Sequence, residues 1–200
     1  MITPTVFATP RFYDKKVQEI NTELSTLSWL ESVFPVTFRG EDTEGTYPEA
    51  YLNDGSKTSV RVLPSGNSVS FFRIRGAAQL DESDHFKTDL SLYVWADLTK
   101  ADTTKLYNYR ADMINDCRRV LNRHSCYDYS VDTKDVFNGF SQLEKLVNQN
   151  TMLPNTAFRI DFSVDLLIGL STDTALTIPT YLLINSTDNL LINSTDILTI

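Results

Sequence analysis

The fold class is decided by the stretch Phe86–Arg123, FKTDLSLYVWADLTKADTTKLYNYRADMINDCRRVLNR. In its first part, apolar and polar residues alternate, as they do along a β-strand with two different faces. The face that we expect to meet the core carries Phe86, Thr88, Leu90, Leu92, Val94, Ala96 and Leu98. In its second part, after a cap at Asp102 or Thr103, helical spacing predicts a buried stripe. That stripe is Leu106, Tyr109, Met113, Cys117, Val120 and Leu121.

The opposite face of the predicted strand becomes aromatic at Tyr93 and Trp95. Large aromatic side chains are seldom left as a continuous patch in water, so this face should be covered. One interpretation is an adhesive face that meets a neighbouring subunit. The other is that both rings pack under a helix or loop of the same chain. We keep both interpretations and treat Tyr93 and Trp95 as candidate subunit-contact residues.

The segments before this stretch predict a helix followed by short strands. Thr9 and Pro10 can begin a helix whose apolar stripe is Val17, Ile20, Leu24 and Leu27, and which stops before Phe34-Pro35. VTFRG then predicts a strand, and Tyr47-Pro48 indicates the entry to an edge strand before a turn at Asn53–Gly55. Val60–Val62 and Ser68–Gly76 alternate on either side of a turn signal, which predicts a hairpin.

The segments after it predict a second long strand and a short-strand tail. The second strand carries Phe158, Ile160, Phe162, Val164, Leu166 and Ile168 on one face, with Arg159, Asp161, Ser163 and Asp165 opposite. A short helix is possible at SQLEKLVNQ. In the tail, LLINSTD occurs twice, which indicates short strands joined by turns that need a partner surface. Its candidate subunit-contact residues are Leu182, Leu183, Ile184, Leu190, Leu191 and Ile192.

Together these elements predict an α+β fold with a mostly antiparallel twisted sheet packed against two main helices. An extended arm precedes the domain, which we place at residues 1–170, and a short-strand C-terminal extension occupies residues 171–200. Hydrophobic residues make up 42% and charged residues 22% of the chain, as in globular proteins. The sequence has no signal-peptide pattern and no apolar run long enough for a membrane span, so we expect synthesis in the cytoplasm and no membrane partner.

The charged residues argue against nucleic-acid recognition. Eighteen basic residues stand against twenty-six acidic ones, for a net charge of −8. A chain of this charge is repelled by nucleic acid unless its cations cluster. The closest grouping is Arg118, Arg119 and Arg123 at the end of the predicted helix, where cations also stabilise the helix dipole.

Motifs that carry chemistry are not evident, and we predict no catalytic, cofactor or metal site. The two histidines, His85 and His124, stand in no recognisable nucleophile motif, and phosphate-binding glycine loops are missing. Cys117, His124 and Cys126 lack the fourth ligand and the cysteine spacing of a structural zinc site. The acidic runs at residues 41–44 and 81–84 do not follow calcium-loop spacing and are typical of hydrated surface.

The order of elements, from the first helix to the second long strand, resembles the tail terminator proteins of long-tailed bacteriophages. The resemblance is carried by YPEAYL at Tyr47-Pro48, by DLSLYVWADLTKADTTKLYNYRADMINDCRRVL, and by YDYSVDTKDVF followed by FRIDFSVDLLI. It covers roughly Phe12–Gly169. The connection Asn138–Asn155 and the residues beyond the last strand have no counterpart in the family pattern.

This resemblance implies a non-enzymatic virion protein that forms a ring, commonly of six subunits or a multiple of six. The ring would terminate the tail, contact the tail tube and the head connector, and give DNA a passage without reading its sequence. The N-terminal arm and the LLINSTD tail would reach an adjacent subunit by adding strands to its sheet edge. The alternatives are a connector ring protein of a short-tailed phage, another adaptor or binding module, and, least favoured, a small hydrolase or metal enzyme using Asp and Glu with His124 or His85.

Overall fold

The computed structural model describes residues 10, 13–52, 54–60, 68–76, 79–80, 85–98, 109–149, 155–167, 189–193 and 196–199. Its contacts divide the chain into two compact units, Met1–Leu167 and Ile168–Ile200. The extended arm before Thr9 and the helix cap predicted at Asp102 or Thr103 lie outside the described residues.

The first unit combines helices and strands, so the predicted α+β class is confirmed. Its described helices are α1 (Tyr13–Leu24), α2 (Tyr109–Arg123) and α3 (Ser141–Gln149). Its described strands are β1 (Ser32–Asp42), β2 (Gly45–Tyr51), β3 (Lys57–Ser59), β4 (Val69–Ile74), β5 (Gln79–Leu80), β6 (His85–Asp97), β7 (Tyr127–Asp132) and β8 (Asn155–Leu167). The short helix at SQLEKLVNQ is confirmed as α3.

The strands form one mixed sheet in the order β3-β2-β1-β4-β6-β8-β7, and β5 pairs with β6 beside that path. β1 and β4 pair in parallel, whereas the other neighbours are antiparallel. The predicted hairpin between Val60–Val62 and Ser68–Gly76 is therefore wrong. β3 ends at Ser59 and pairs with β2, and β4 pairs with β1 and β6 instead.

The prolines of β1 and β2 lie at positions where the missing N–H does not interrupt the hydrogen bonds between paired strands. At Pro35, which has no N–H to donate, the register between β1 and β4 shifts between Val33 and Val36. Pro48 lies inside β2, opposite Arg39, and does not begin an edge strand as the sequence indicated. Its carbonyl accepts from the N–H of Val60 at 2.8 Å. Because the N–H and C=O of one residue point to the same side of a strand, the missing donor faces away from β1.

The pairing of β6 with β8 forms the centre of the sheet, and it runs from His85↔Leu167 to Asp97↔Asn155. The face that packs on α1 and α2, here called the helix face, carries the larger hydrophobic cluster. From the predicted sets, α1 contributes Val17, Ile20 and Leu24, and α2 contributes Met113, Cys117, Val120 and Leu121. The predicted core face of β6 and the aromatic and aliphatic face of β8 meet them there, and the alternation predicted for both strands is confirmed.

A second, smaller cluster lies on the other side of the sheet, here called the α3 face. Tyr93 and Trp95 are 3% and 1% exposed and belong to this cluster. The Phe137 ring is stacked on Tyr93 at a centroid distance of 6.2 Å and tilted against Trp95 at 6.3 Å, and Phe140 lies edge-on to Tyr93. The two aromatic residues of β6 are therefore covered by α3 and the segment before it, which is the second of the two interpretations of this face.

The second unit contains a two-stranded antiparallel pair, β9 (Asn189–Asn193) and β10 (Asp196–Thr199). The second LLINSTD copy therefore provides one strand and the start of the next, as the repeat pattern predicts. Leu182, Leu183 and Ile184 of the first copy lie outside the described residues.

Candidate functional surfaces

The α3 face of the sheet becomes polar beyond Tyr93, where β6 and β8 exchange side-chain hydrogen bonds. Ser91 and Asp161 are cross-strand neighbours, and the Ser91 hydroxyl donates to Asp161 Oδ1 at 2.6 Å. One pleat further, the Ser163 hydroxyl donates to Asp89 Oδ1, also at 2.6 Å. Two serine–aspartate hydrogen bonds thus join the side chains of the two long strands. The donor is on β6 in the first and on β8 in the second.

The pairs Ser91–Asp161 and Ser163–Asp89 are here called the polar ladder. Asp161 makes the most side-chain contacts in it. It is 5% exposed and accepts from Arg159 Nε at 3.0 Å in addition to Ser91. Arg75 of the β4 end lies 3.5 Å from its second oxygen. Arg159 also contacts Asp132 of β7 at 3.2 Å. Because a buried carboxylate needs compensating charge, this network stabilises Asp161 and connects the strands on either side of β6 and β8.

The outer end of the ladder is exposed and less tightly bonded. The Tyr127 hydroxyl of β7 donates to Asp165 Oδ1 at 2.6 Å, and Lys87 pairs with Asp128 at 3.3 Å. Burial and the Asp165 hydrogen bond raise the pKa of Tyr127. Tyr127 therefore remains a hydrogen-bond donor at neutral pH.

His124 and Arg123 fasten the end of α2 to α1. The Nε2 atom of His124 lies 3.1 Å from Glu23 Oε2, and Arg123 pairs with the other oxygen of the same carboxylate. The hydrogen bond from Arg123 is the main cause of the lowered pKa of Glu23. His124 thus closes the helix, as predicted, and takes part in a contact between helices. The side chain of His85 lies outside the described residues.

The two cysteines are free thiols, and both are buried. Burial, with the nearby Asp116 carboxylate, raises the pKa of Cys117, and burial raises that of Cys126 to about 12. Cys117 fills the core as the sequence predicts. The Cys126 thiol lies 3.9 Å from the carbonyl of His124. Within the described part of the chain, groups of three or more His, Cys, Asp or Glu side chains placed to hold a metal ion are not found.

The acidic β1–β2 turn is held in place by the start of α3. The Asp42 carboxylate accepts from the backbone N–H groups of Glu44 and Gly45 and from the Gln142 side chain, and the first of these is the main cause of its lowered pKa. Lys145 donates to the carbonyl of Glu44 at 2.8 Å. The side chains of this acidic run are exposed, as expected of hydrated surface.

An exposed aromatic pair lies on the helix face at the β1–β2 end of the sheet. Phe38 is 45% exposed and Tyr51 is 38% exposed, and their rings meet edge to face at 5.4 Å. Lys57 of β3 lies 5.0 Å from the centre of the Tyr51 ring. The other large hydrophobic side chain exposed among the described residues is Val131 of β7, at 42%. This pair was not among the predicted contact residues, although Val36 and Phe38 share one face of the predicted strand.

The predicted subunit-contact residues belong to two different units of the chain. Tyr93 and Trp95 lie in the chain's own core, so neither ring is available at the surface of this fold. Leu190, Leu191 and Ile192 lie in β9 of the second unit, where the backbone pairs with β10. Among the residues of the first unit whose burial is described, the large hydrophobic side chains that are exposed are therefore the aromatic pair and Val131.

No family model, curated protein or solved structure matches this chain. Among the helices of the described residues, none has the length and apolar character needed to cross a membrane.

Proposed function

We propose that this chain is a non-enzymatic structural protein of a bacteriophage virion, one subunit of an oligomeric ring at the junction of head and tail. One observation carries the proposal: the helices and strands on which the resemblance rests fold together into one compact unit. α1 and α2 pack together on the helix face, over the paired long strands β6 and β8. An element order that forms one continuous core supports the resemblance more strongly than the order alone.

The polar ladder supports a scaffold role. Its serine hydroxyls donate to carboxylates, and its arginines are engaged with the same carboxylates, so its polar groups are used for bonds within the sheet. Through Arg75, Ser91 and Asp161 these bonds join three neighbouring strands. A ring that keeps its shape while DNA passes needs subunits that resist deformation, and a cross-bonded sheet supplies that.

The charge balance supports a passage for DNA. The net charge of −8 and the exposed carboxylates of the β1–β2 turn repel phosphate. A ring lined by such subunits would let DNA slide without binding it. The same charge argument applies to a connector ring in a short-tailed phage, and we keep that ring as a variant of the same proposal.

A second candidate is an adaptor that binds a partner protein outside any ring. The exposed Phe38 and Tyr51 favour it, because exposed aromatic groups mark protein contacts in general. The ring and adaptor proposals differ in the partner: the first needs further copies of this chain, and the second needs a different protein.

Electron microscopy of the purified protein and of labelled particles tests the proposal. We expect a closed ring, and antibody labelling of purified particles at the junction of head and tail. Because ring proteins can stay monomeric until their template is present, the particle experiment decides the outcome. A chain that is absent from particles and forms no ring would overturn the ring proposal and leave the adaptor.

A truncated chain tests the role proposed for the tail. Deleting Ile178–Ile200 should weaken ring assembly if the LLINSTD segment reaches an adjacent subunit by strand addition. If the truncated chain forms unchanged rings, the tail takes no part in the contact between subunits, and the ring proposal itself still stands.

A further inference from the structure

We infer that the first LLINSTD segment of one copy, residues 182–188, adds as a strand to an open edge of β1 in a neighbouring copy. The open edge of β1 is here defined as residues 37–42, on the side of the strand that faces away from β2. This inference names the acceptor for the strand addition in the proposed function, and it rests on that proposal for the donor. It is drawn from the backbone pairing of the sheet and from the repeat in the sequence.

The strand β1 changes its partner halfway along its length. Its first half pairs in parallel with β4, and this pairing ends at Val36↔Phe72. There the Thr37 hydroxyl donates to the carbonyl of Phe72 at 2.9 Å. From Thr37 to Asp42, β1 pairs with β2. Beyond Val36, none of the described strands pairs with β1 on the side away from β2, so this side is an open sheet edge.

The backbone groups of Arg39 and Glu41 face the open edge. Arg39 lies opposite Pro48, whose carbonyl accepts from the N–H of Val60 and therefore points away from β1. In an antiparallel pair, two opposite residues either bond to each other or both point outward. The N–H and C=O of Arg39 thus point away from β2, and those of Glu41, two residues further, do the same. Such outward backbone groups are what an added strand binds.

The two outer strands of the sheet order are less suited to receive a strand. β3 is three residues long. In β7 the register with β8 shifts between Tyr127 and Ser130, and Asp128 has φ of 55°. Short strands, bulges and charged side chains are devices that protect a sheet edge against strand addition. The open edge of β1 has none of this irregularity, because its register with β2 is continuous over six residue pairs.

The repeat identifies the strand that fits this edge. Leu190, Leu191 and Ile192 of the second LLINSTD copy lie in β9, so this sequence forms a strand. Leu182, Leu183 and Ile184 of the first copy have the same sequence and lie outside the described residues. β9 is five residues long, and a strand of that length fits along the six residues of the open edge.

The side chains beside the open edge suit an apolar strand. Phe38 and Tyr51 are exposed on the helix face and meet edge to face. Because side chains alternate along a strand, Leu182 and Ile184 would share one face. With these two side chains on the helix face, the added strand packs beside the Phe38 ring, and contacts between aromatic and aliphatic side chains stabilise neighbouring strands.

Photo-crosslinking in the full-length chain tests the contact directly. We would place p-benzoylphenylalanine at position 183, mix isotope-labelled and unlabelled copies, and map the cross-links between copies by mass spectrometry. The expected cross-links reach residues 37–42 of the other copy. The control places the same group at Glu19, which is exposed on α1. Cross-links from position 183 only within one copy, only to other strands, or not at all at high concentration would overturn the inference.

A proline at the open edge gives a second test with a matched control. Arg39→Pro removes the N–H that faces the added strand and leaves the hydrogen bonds between β1 and β2 in place, whereas Arg39→Ala removes only the side chain. In sedimentation velocity, Arg39→Pro should weaken self-association at least about tenfold and Arg39→Ala less than about twofold. Equal effects of the two variants, or unchanged association of Arg39→Pro, would contradict strand addition at this edge.

A second pair of variants keeps this test decisive if Arg39→Pro does not fold. Glu41→Pro and Glu41→Ala make the same comparison two residues further along the open edge, with the same expected difference. Circular dichroism of each variant shows whether the fold is kept.

This inference and the proposed function can fail separately. Rings seen by microscopy with cross-links from position 183 outside residues 37–42 would leave the proposed function standing and remove this acceptor. The expected cross-links in a protein that is absent from particles would support the contact and overturn the proposed place in a virion.

Discussion

The hydroxyl of Thr46 in β2 accepts a hydrogen bond from the backbone N–H of Ser141, the first residue of α3, at 2.8 Å. The same hydroxyl donates to the carbonyl of Gly139 at 3.1 Å, and the Ser141 hydroxyl accepts from the N–H of Thr46 at 2.9 Å. A side chain of the sheet thus caps a helix that is remote in sequence. This exchange is one of the contacts that hold α3 over Tyr93 and Trp95, together with the Gln142 and Lys145 bonds to the β1–β2 turn.

Replacing Thr46 by valine should therefore loosen α3. Valine keeps the shape of threonine but leaves the Ser141 N–H and the Gly139 carbonyl without their partner in a buried place, which costs about 1–2 kcal/mol of unfolding free energy. Urea denaturation followed by tryptophan fluorescence measures this loss, because Trp95 lies in the same cluster. The matched control is Thr58→Val in β3, where the hydroxyl bonds no other described residue. Equal losses in both variants would contradict the capping role.

A second prediction concerns Asp161, which is 5% exposed and is bonded by Ser91 and Arg159. Asp161→Asn removes the negative charge and leaves the partly buried Arg159 with Asp132 as its carboxylate partner among the described residues, so we expect a loss of about 2 kcal/mol. Asp165→Asn, on the same strand face but exposed, should cost less than about 1 kcal/mol. Chemical denaturation of both variants measures the difference. A similar small effect at both positions would mean that Asp161 is not an essential part of the network.

The third prediction is a pH dependence at the contact between α1 and α2. The pKa of Glu23 is lowered from its usual 4.5, chiefly by the Arg123 hydrogen bond. A lowered pKa in the folded state means that the stabilisation is present above pH 4.5 and is lost as the pH falls through the folded value. Glu23→Gln should thus cost up to about 1 kcal/mol at pH 7, and progressively less as the pH falls below 4.5.

Unfolding free energies of wild type and Glu23→Gln at several pH values test this dependence. Glu19→Gln is the control, because Glu19 forms only a 3.7 Å pair with Lys16 on the exposed side of α1. A difference between wild type and Glu23→Gln that stays constant from pH 7 to pH 3 would rule out the carboxylate as its source.

The fourth prediction concerns the thiols. With a pKa near 12 for Cys126, about one thiol in ten thousand is ionised at pH 8, and thiolate is the reactive form. We expect labelling by a disulfide reagent to be at least about a hundredfold slower in the folded protein than in denaturant. A Cys126→Ala variant, which keeps only the fully buried Cys117, should label more slowly still. Fast labelling of that variant under native conditions would show that the core under α2 opens readily.

The long strands and the two main helices could be predicted because their patterns are strong and local. In β6 and β8 every second side chain enters one core, so alternation alone identifies both strands. In α2, Met113, Cys117, Val120 and Leu121 follow the helical period. Such patterns indicate which side of a helix or strand is buried, and the structure confirms the buried sides that they predict.

The strand partners could not be read in the same way. β4 follows β3 in the sequence but pairs in parallel with β1, and a short apolar run contains no information on its partner. β7 was missed because it is an irregular edge strand. Asp128 has φ of 55° and the register with β8 shifts between Tyr127 and Ser130, which breaks the alternation.

The exposure of Phe38 was missed for a related reason. Phe38 looks like an ordinary inward residue of a strand, and only the position where α1 and α2 stop decides that it is exposed. By contrast, Tyr93 and Trp95 are covered by a helix from a segment with a weak pattern. The positions of the helices thus decide whether these strand residues are buried or exposed. Periodicity in the sequence does not predict where a helix packs on the sheet.

The full-length pairing of β6 with β8 also sets the order of events during synthesis. All of β6, from His85 to Asp97, has its partner in residues 155–167. Until the ribosome has delivered Leu167, β6 is an open edge with apolar side chains and unpaired backbone groups, which is the kind of segment that aggregates or recruits chaperones. The nascent chain therefore cannot close the centre of its sheet before β8 has been made.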